Sequence, residues 1–178
     1  MNVLDQDRSV IQKILDSYNK GNAFNLLALS ALTVLPANHK KKVVARQNFS
    51  EDISIPDLVK LDSMDEQTRR LVLLLSELGA PDDNNVIPSL YRHLVYWPGF
   101  LSLSWSILVP LALDGRLQSI TDLTYQLAGE RATNIADVVV WGPEPPRAEE
   151  AMKAIDKFRI STISRMLPIG LILRKAAG

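Results

Sequence analysis

The segment Asn19–Lys20–Gly21–Asn22 holds polar residues that are suited to bind a small anion. An asparagine amide can donate two hydrogen bonds to a carboxylate without adding charge, and the start of a helix favours an anion. If one helix ends at Gly21 and the next begins at Asn22, Asn19 and Asn22 could bind a small organic acid, with Tyr18 beside them. Two consecutive helix caps without a ligand would also explain both asparagines. Both interpretations stay open on the sequence alone.

A second group of candidate binding residues surrounds the pair Trp97–Pro98, where the chain must bend. Proline has no amide hydrogen and disfavours helical geometry at the residue before it, so backbone polar groups are exposed inside an apolar segment. Small-molecule sites are often built at such places. Arg92 could bind a carboxylate with two hydrogen bonds, or lie over apolar neighbours at the surface. Tyr91 could direct its hydroxyl into a pocket, while Trp97 and Trp105 could form its wall or belong to the core.

The residue types exclude several kinds of catalysis. The chain has no cysteine, which rules out disulfides, thiolate metal sites and thiol nucleophiles. Its two histidines, His39 and His93, are far apart in the sequence, so we expect no metal, no cofactor and no serine triad. A carboxylate in an apolar helix could act as a base if burial raised its pKa, or it could face solvent. Four carboxylates interrupt apolar segments in this way: Glu77, Glu130, Asp137 and Asp156.

The length and the balanced charge predict a single domain that binds neither nucleic acid nor membranes. The chain has 178 residues, of which 47% are hydrophobic, enough to bury one sizeable core. Twenty basic residues balance twenty acidic ones, and a net charge of zero argues against binding to polyanions. Early acidic residues interrupt any secretory signal, and the longest apolar segment is shorter than the roughly 20 residues that a membrane span needs. We therefore expect a cytoplasmic protein.

Apolar periodicity predicts helices throughout, because no segment alternates in the way that half-buried strands do. We predict an all-α, multi-helix bundle with a proline-kinked core helix, in one domain of residues 1–178. An N-terminal helix pair occupies residues 1–36, a linker residues 37–62 and a helical unit residues 63–178. In that unit a helix starts with the capping pattern of Ser63 and Glu66 and stops at Gly79.

Two further helices complete the predicted bundle. The first covers residues 117–132 after a turn at Asp114–Gly115. The β-branched segment Ile135–Trp141 also favours a helix, because it has no partner strand. The last helix begins near Arg147 and bends at Pro168. The buried side of the first of these helices is predicted to carry Ile120, Leu123, Leu127 and Ala128.

Two separated stretches resemble the group I haloacid dehalogenases, the DL-2-haloacid enzymes with an all-helical, two-repeat fold. The stretch Ile14–Leu32 is similar to that family's helix, N-x-G-N junction and leucine-rich helix. Leu94–Pro98 and Val109–Ala112 are similar to its L-x-x-W-P kink helix and the continuation of that helix. With the helix around Asp156–Phe158, the resemblance corresponds to the end of the first repeat and the whole of the second, so the chain would equal about one repeat.

The resemblance implies hydrolysis of 2-halo acids, in which an aspartate activates a water molecule that displaces the halide without a covalent intermediate. The asparagine that binds substrate in the family falls on Asn22. The catalytic aspartate does not carry over, because its position is occupied by Leu90, which cannot take a proton. Most of the first repeat is also missing, and we expect a homodimer, which could supply it and bury the unpaired apolar helices.

These departures leave two functions open. One is a haloacid dehalogenase-like protein that binds or hydrolyses a small halo-organic acid. The other is a non-catalytic small-molecule-binding or dimerisation module, which would have a pocket without an inward carboxylate. A more distant resemblance to the alkylhydroperoxidase-D and carboxymuconolactone-decarboxylase group concerns fold and oligomerisation only, because the C-x-x-C pair of its peroxidases is absent here.

Overall fold

Helices form all of the regular structure in this computed structural model, which describes residues 5–34, 55–81, 86–136 and 148–178. No strand occurs in these four segments, and the predicted all-α fold is confirmed. A 3-10 turn at Leu61–Ser63 precedes α2, and a π-helical segment at Phe158–Ile163 joins α6 to α7. In chain order the helices are α1 (Asp5–Val34), α2 (Glu66–Gly79), α3 (Ser89–Leu94), α4 (Pro98–Leu113), α5 (Arg116–Ala136), α6 (Ala148–Lys157) and α7 (Ser164–Ala176).

α1 is a single helix of 30 residues, where the sequence predicts two helices joined at Gly21. Gly21 is exposed in the middle of this helix, and no helix begins at Asn22. The predictions of a helix pair and of a cap at Asn22 are therefore wrong. An interior glycine costs only about 0.5–1 kcal/mol. Packing outweighs this cost because buried residues lie on both sides of it, from Ile14 in the main core to Leu26 in a second cluster.

A close contact between α1 and α7 lies at Asn19 and Gly170. A Cβ atom on Gly170 would be only 2.1 Å from Oδ1 of Asn19, so any other residue type there would require the Asn19 side chain to move. The Asn19 side chain is buried against this point. Main-core residues follow the contact along both helices, among them Leu15 on α1 and Ile169 and Leu173 on α7.

The predicted bend at Trp97–Pro98 is present. α3 ends at Leu94, and Pro98 takes the first position of α4, where a missing amide hydrogen leaves no bond unmade. Leu90 and Leu94 are buried in the main core before the bend. Trp97 and Trp105 are half-buried and pack against the same core.

The start of α2 differs from the prediction by two residues. Its N-cap is Asp65, whose carboxylate accepts a hydrogen bond from the amide of Thr68 at 2.9 Å. Ser63 instead closes the 3-10 turn, where its hydroxyl donates to the carbonyl of Lys60. Asp65 rather than Ser63 occupies the N-cap position because its side chain reaches the free amide hydrogens of the first turn of α2.

The last helix is irregular before Pro168 rather than at it. Pro168 lies buried inside α7, and the irregular hydrogen bonding belongs to the π-helical segment one turn earlier. There the Ser164 hydroxyl donates to the carbonyl of Arg159, five residues back, at 2.7 Å. Of the predicted helix over residues 135–141, α5 contains the first two residues, and the others lie outside the described residues.

α5 turns a different side to the core from the one that its leucines predict. Ile120, Leu123 and Leu127 are 38%, 53% and 45% exposed, so their predicted burial is wrong, while that of Ala128 is confirmed. Ala128 packs against Leu26 of α1, and small side chains on this side let α5 lie close to α1 and α7. The buried residues of α5 are Leu117, Thr121, Ala128, Ala132 and Ala136.

The predicted turn at Asp114–Gly115 separates α4 from α5. Gly115 has a φ of +79°, and the amide of Arg116 donates to the Asp114 carboxylate at 3.0 Å. Within the described residues, no single helix is long and apolar enough to cross a membrane. α4 and α5 meet that test only together, and they are bent by 84° at this turn.

Replacing Gly21 with alanine should stabilise the protein by about 0.5–1 kcal/mol, because Gly21 lies inside a helix with nothing within 4 Å of its Cβ position. The matched control is Gly115→Ala, which should destabilise it because φ is positive there. Urea unfolding measures both changes. A loss of stability in Gly21→Ala would contradict the continuous helix, since a glycine that ends a helix adopts the left-handed conformation.

Candidate functional site

A cavity of about 500 Å³ lies between the beginning of α1, the first half of α4 and the end of α7. Such a volume is typical of small-molecule sites. Its floor is apolar and buried, formed by Ile11 and Phe100, with Ala177 beside them. Its mouth carries exposed polar residues. The lining residues are Arg8, Ile11, Gly99, Phe100, Ser102, Leu103, Ser106, Ala176 and Ala177.

The first turn of α4 gives one wall of this cavity a partial positive charge. Pro98 has no amide hydrogen, and the first hydrogen bond of the helix runs from the amide of Leu101 to the carbonyl of Trp97 at 2.9 Å. The amides of Gly99 and Phe100 therefore have no carbonyl partner within the helix, and no described side chain caps this end. Together with the guanidinium of Arg8, this wall favours an anionic group.

The two serines at the mouth offer acceptor oxygens rather than donors. The hydroxyl of Ser102 donates to the carbonyl of Pro98 at 2.9 Å, and that of Ser106 donates to the carbonyl of Ser102 at 3.1 Å. Their lone pairs can still accept a hydrogen bond from a hydroxyl or amide of a ligand. No acidic side chain lines the cavity, so none of its described residues can take a proton from water at neutral pH.

The end of α7 would repel an anion, because the last carbonyls of a helix carry partial negative charge. Side chains of α1 and α7 compensate this charge. The amide of Gln12 donates to the carbonyl of Ala177 at 3.1 Å and also to that of Gly178. Arg174 binds the carboxylate of Asp16 on α1 at 2.8 Å, which places a further cation near this helix end.

A second polar cluster links α1 to α3. The hydroxyl of Tyr18 lies 2.7 Å from Nδ1 of His93, and the two ring centroids are 5.6 Å apart. Ser89 hydrogen-bonds Tyr18, and the carbonyl of Pro56 accepts a hydrogen bond from the imidazole. Because a carbonyl only accepts, Nδ1 is left as the acceptor of the Tyr18 hydroxyl.

Both ring groups of this cluster are held neutral. Burial lowers the pKa of His93. The hydrogen bond to the carbonyl of Pro56 raises that pKa, and the positive charge of Arg92 lowers it. Burial raises the pKa of Tyr18, opposed by its hydrogen bond with Ser89 and by Arg92. The pair joins α1 to α3, and neither ring lines the cavity.

None of the seven predicted binding residues lines the cavity. Tyr18 lies in the cluster just described, and Arg92 lies near it, where its Nε donates to the carbonyl of Val59 at 2.9 Å. Asn19 is buried against Gly170, and neither polar atom of its amide has a partner among the described residues. Asn22 is half-buried within α1.

The aromatic candidates belong to the core. Tyr91 is fully buried, and its hydroxyl would lie 3.3 Å from a Cβ atom on Gly79. That hydroxyl has no hydrogen-bond partner among the described residues, and burial raises its pKa despite the nearby charge of Arg165. Trp97 and Trp105 pack against the main core.

The cavity residues were not found from the sequence, although α4 carries a signal for them. Ser102, Ser104 and Ser106 interrupt an otherwise apolar helix, and Gly99, Ser102 and Ser106 share one side of it by helical spacing. Arg8 gives no such signal, because only the packing of α1 on α4 brings it to the cavity. The described residues also contain no group of three or more His, Asp or Glu side chains that could hold a metal ion.

Comparison with known proteins gives no relative on which to base a function. No family model, no curated protein and no solved structure matches this chain. The likeness to haloacid dehalogenases therefore rests on its two short sequence motifs. The site has to be judged by its own geometry.

Stability should depend on pH through His93. Its folded pKa lies below the ordinary value of 6.5, so the unfolded chain binds the proton more readily. The contribution of His93 to the free energy of unfolding is therefore present above pH 6.5 and is lost as the pH falls below that value. Urea unfolding between about pH 7.5 and pH 5 should show this loss in the natural protein and a smaller one in His93→Gln. Subtracting the pH dependence of His93→Gln from that of the natural protein removes the contributions of His39 and the carboxylates, which both proteins share. If the two proteins showed the same pH dependence, a lowered pKa of His93 would be contradicted.

Proposed function

We propose that this protein binds a small amphiphilic organic acid in the cavity between α1, α4 and α7, without hydrolysing it. The observation that carries the proposal is the polarity of that cavity, whose lining combines the exposed apolar side chain of Leu103 with the cation of Arg8. A carboxylate would bind Arg8 and the first turn of α4, while an alkyl or aryl group would cover the side chain of Leu103, which is 38% exposed. The absence of acidic lining residues favours binding over hydrolysis.

A monocarboxylate with an apolar chain, such as octanoate, is a suitable probe. Replacing Arg8 with glutamine removes the cation and should weaken octanoate binding about 5- to 30-fold, the effect of losing one charge-assisted hydrogen bond near the surface. Binding of octan-1-ol should change little, because its apolar contact with Leu103 remains. Tryptophan fluorescence or calorimetry can measure both affinities.

Arg69→Gln is the matched control, because Arg69 is an exposed arginine on α2 outside the cavity. It should leave the affinity for octanoate unchanged. The proposal would be wrong if octanoate showed no saturable binding, or if Arg8→Gln and Arg69→Gln bound it equally well.

Incubation with racemic 2-chloropropionate should release no halide above the uncatalysed rate. Leu90, at the position of the dehalogenase base, is 1% exposed in the main core and cannot activate water. A chloride electrode together with detection of the 2-hydroxy product measures this directly. Halide release that Arg8→Gln abolishes would replace the binding proposal with a haloacid hydrolase that uses another base.

A further inference from the structure

α5 carries an apolar stripe that no described part of the chain covers. Ile120, Leu123 and Leu127 follow one another at spacings of three and four residues, so they lie on one side of the helix. They are exposed by 38%, 53% and 45%, while the opposite side of α5 packs on α1 and α7. Contiguous exposed apolar side chains of this kind mark interaction surfaces.

The charges at the two ends of the stripe are arranged symmetrically. Arg116 lies seven residues before Leu123, and Glu130 lies seven residues after it. Each is therefore about 10.5 Å from Leu123 along the helix axis. Both are exposed and continue the line of the stripe, because seven residues are close to two helical turns.

We propose that this stripe binds the same stripe of a second copy of the chain, antiparallel, with the twofold axis beside Leu123. Under that symmetry Arg116 of each chain faces Glu130 of the other, and the Ile120 of one chain lies within one residue of register of the Leu127 of the other. A parallel arrangement would set Arg116 against Arg116 and Glu130 against Glu130. The apolar contacts supply the affinity, and the charges select the direction.

Local hydrogen bonds of the two charged residues are compatible with this arrangement. Arg116 pairs with Asp114 at 2.7 Å, and Glu130 accepts a hydrogen bond from Gln126 at 2.9 Å. Asp114 and Gln126 are exposed, so Arg116 and Glu130 can bind across the interface while they keep these local partners. The expected effect of the charges is small, because exposed ion pairs are weak.

The charge of α5 favours a protein partner over a lipid surface. Helices that lie on membranes usually have a polar face rich in lysine and arginine. The exposed charges of α5 are Arg116, Asp122, Glu130 and Arg131, two of each sign. A second copy matches this balanced pattern, whereas an anionic membrane does not.

Sedimentation velocity over a range of protein concentrations tests the proposal. The natural protein should sediment as a dimer and Leu123→Glu as a monomer, with at least a tenfold weaker association. Leu123 is more than half exposed within one chain, so this change should leave the circular dichroism melting curve almost unchanged. Thr133→Glu adds the same charge at an exposed position of α5 outside the stripe, and should remain a dimer.

A charge exchange tests the direction of pairing. Glu130→Arg alone would set two arginines against each other and should weaken the dimer, and the double variant Arg116→Glu with Glu130→Arg should restore it. A natural protein that is monomeric at every concentration would overturn the proposal, as would a dimer that survives Leu123→Glu. A monomer that co-sediments with phosphatidylcholine vesicles would also overturn it, in favour of a lipid surface. Failure of the double variant to recover would overturn the antiparallel arrangement.

Discussion

The packing of α1 on α7 positions both polar regions of the molecule, and Asn19 and Gly170 lie at a point of close approach between the two helices. A Cβ atom on Gly170 would come within 2.1 Å of Oδ1 of Asn19, so the lack of a side chain at Gly170 leaves room for the buried amide. The residue before Asn19 is Tyr18, which this register turns toward His93 on α3. About two to three turns earlier in α1, the same register brings Arg8 and Ile11 beside Ala177. The packing of α1 against α7, with Gly170 leaving room for the Asn19 side chain, thus contributes to which side chains meet at the cavity.

The contact is made at some energetic cost. The Asn19 amide is buried without a partner among the described residues, and so is the Tyr91 hydroxyl. Buried polar groups that make no hydrogen bond cost about 1–3 kcal/mol each. An apolar residue at either position would avoid that cost in the chain as described. Close packing of the two helices around Asn19, with Leu15 and Ile169 in the same core, compensates it here.

Local signals in the sequence predicted the fold class and the bend, and they failed where distant packing decides. Pro98 has one strong local preference, and the structure follows it. Gly21 has only a weak one, and burial on both sides of it keeps the helix intact. On α5 the leucines predicted the wrong buried side, because contact with α1 and α7 selects the small Ala128 and Ala132 instead. The cavity could not be found in advance, since Arg8 and Ser106 meet only through the packing of three helices.

The end of α7 forms one wall of the cavity. Ala176 and Ala177 have small side chains, and Gln12 ties the backbone here to α1. Terminal turns of helices open more easily than their middles. Any molecule that fills the cavity therefore shifts the opening equilibrium of this turn, because it binds the closed wall and not the frayed one. Occupancy of the cavity would be recorded as slower amide exchange in the last turn of α7, far along the chain from Arg8.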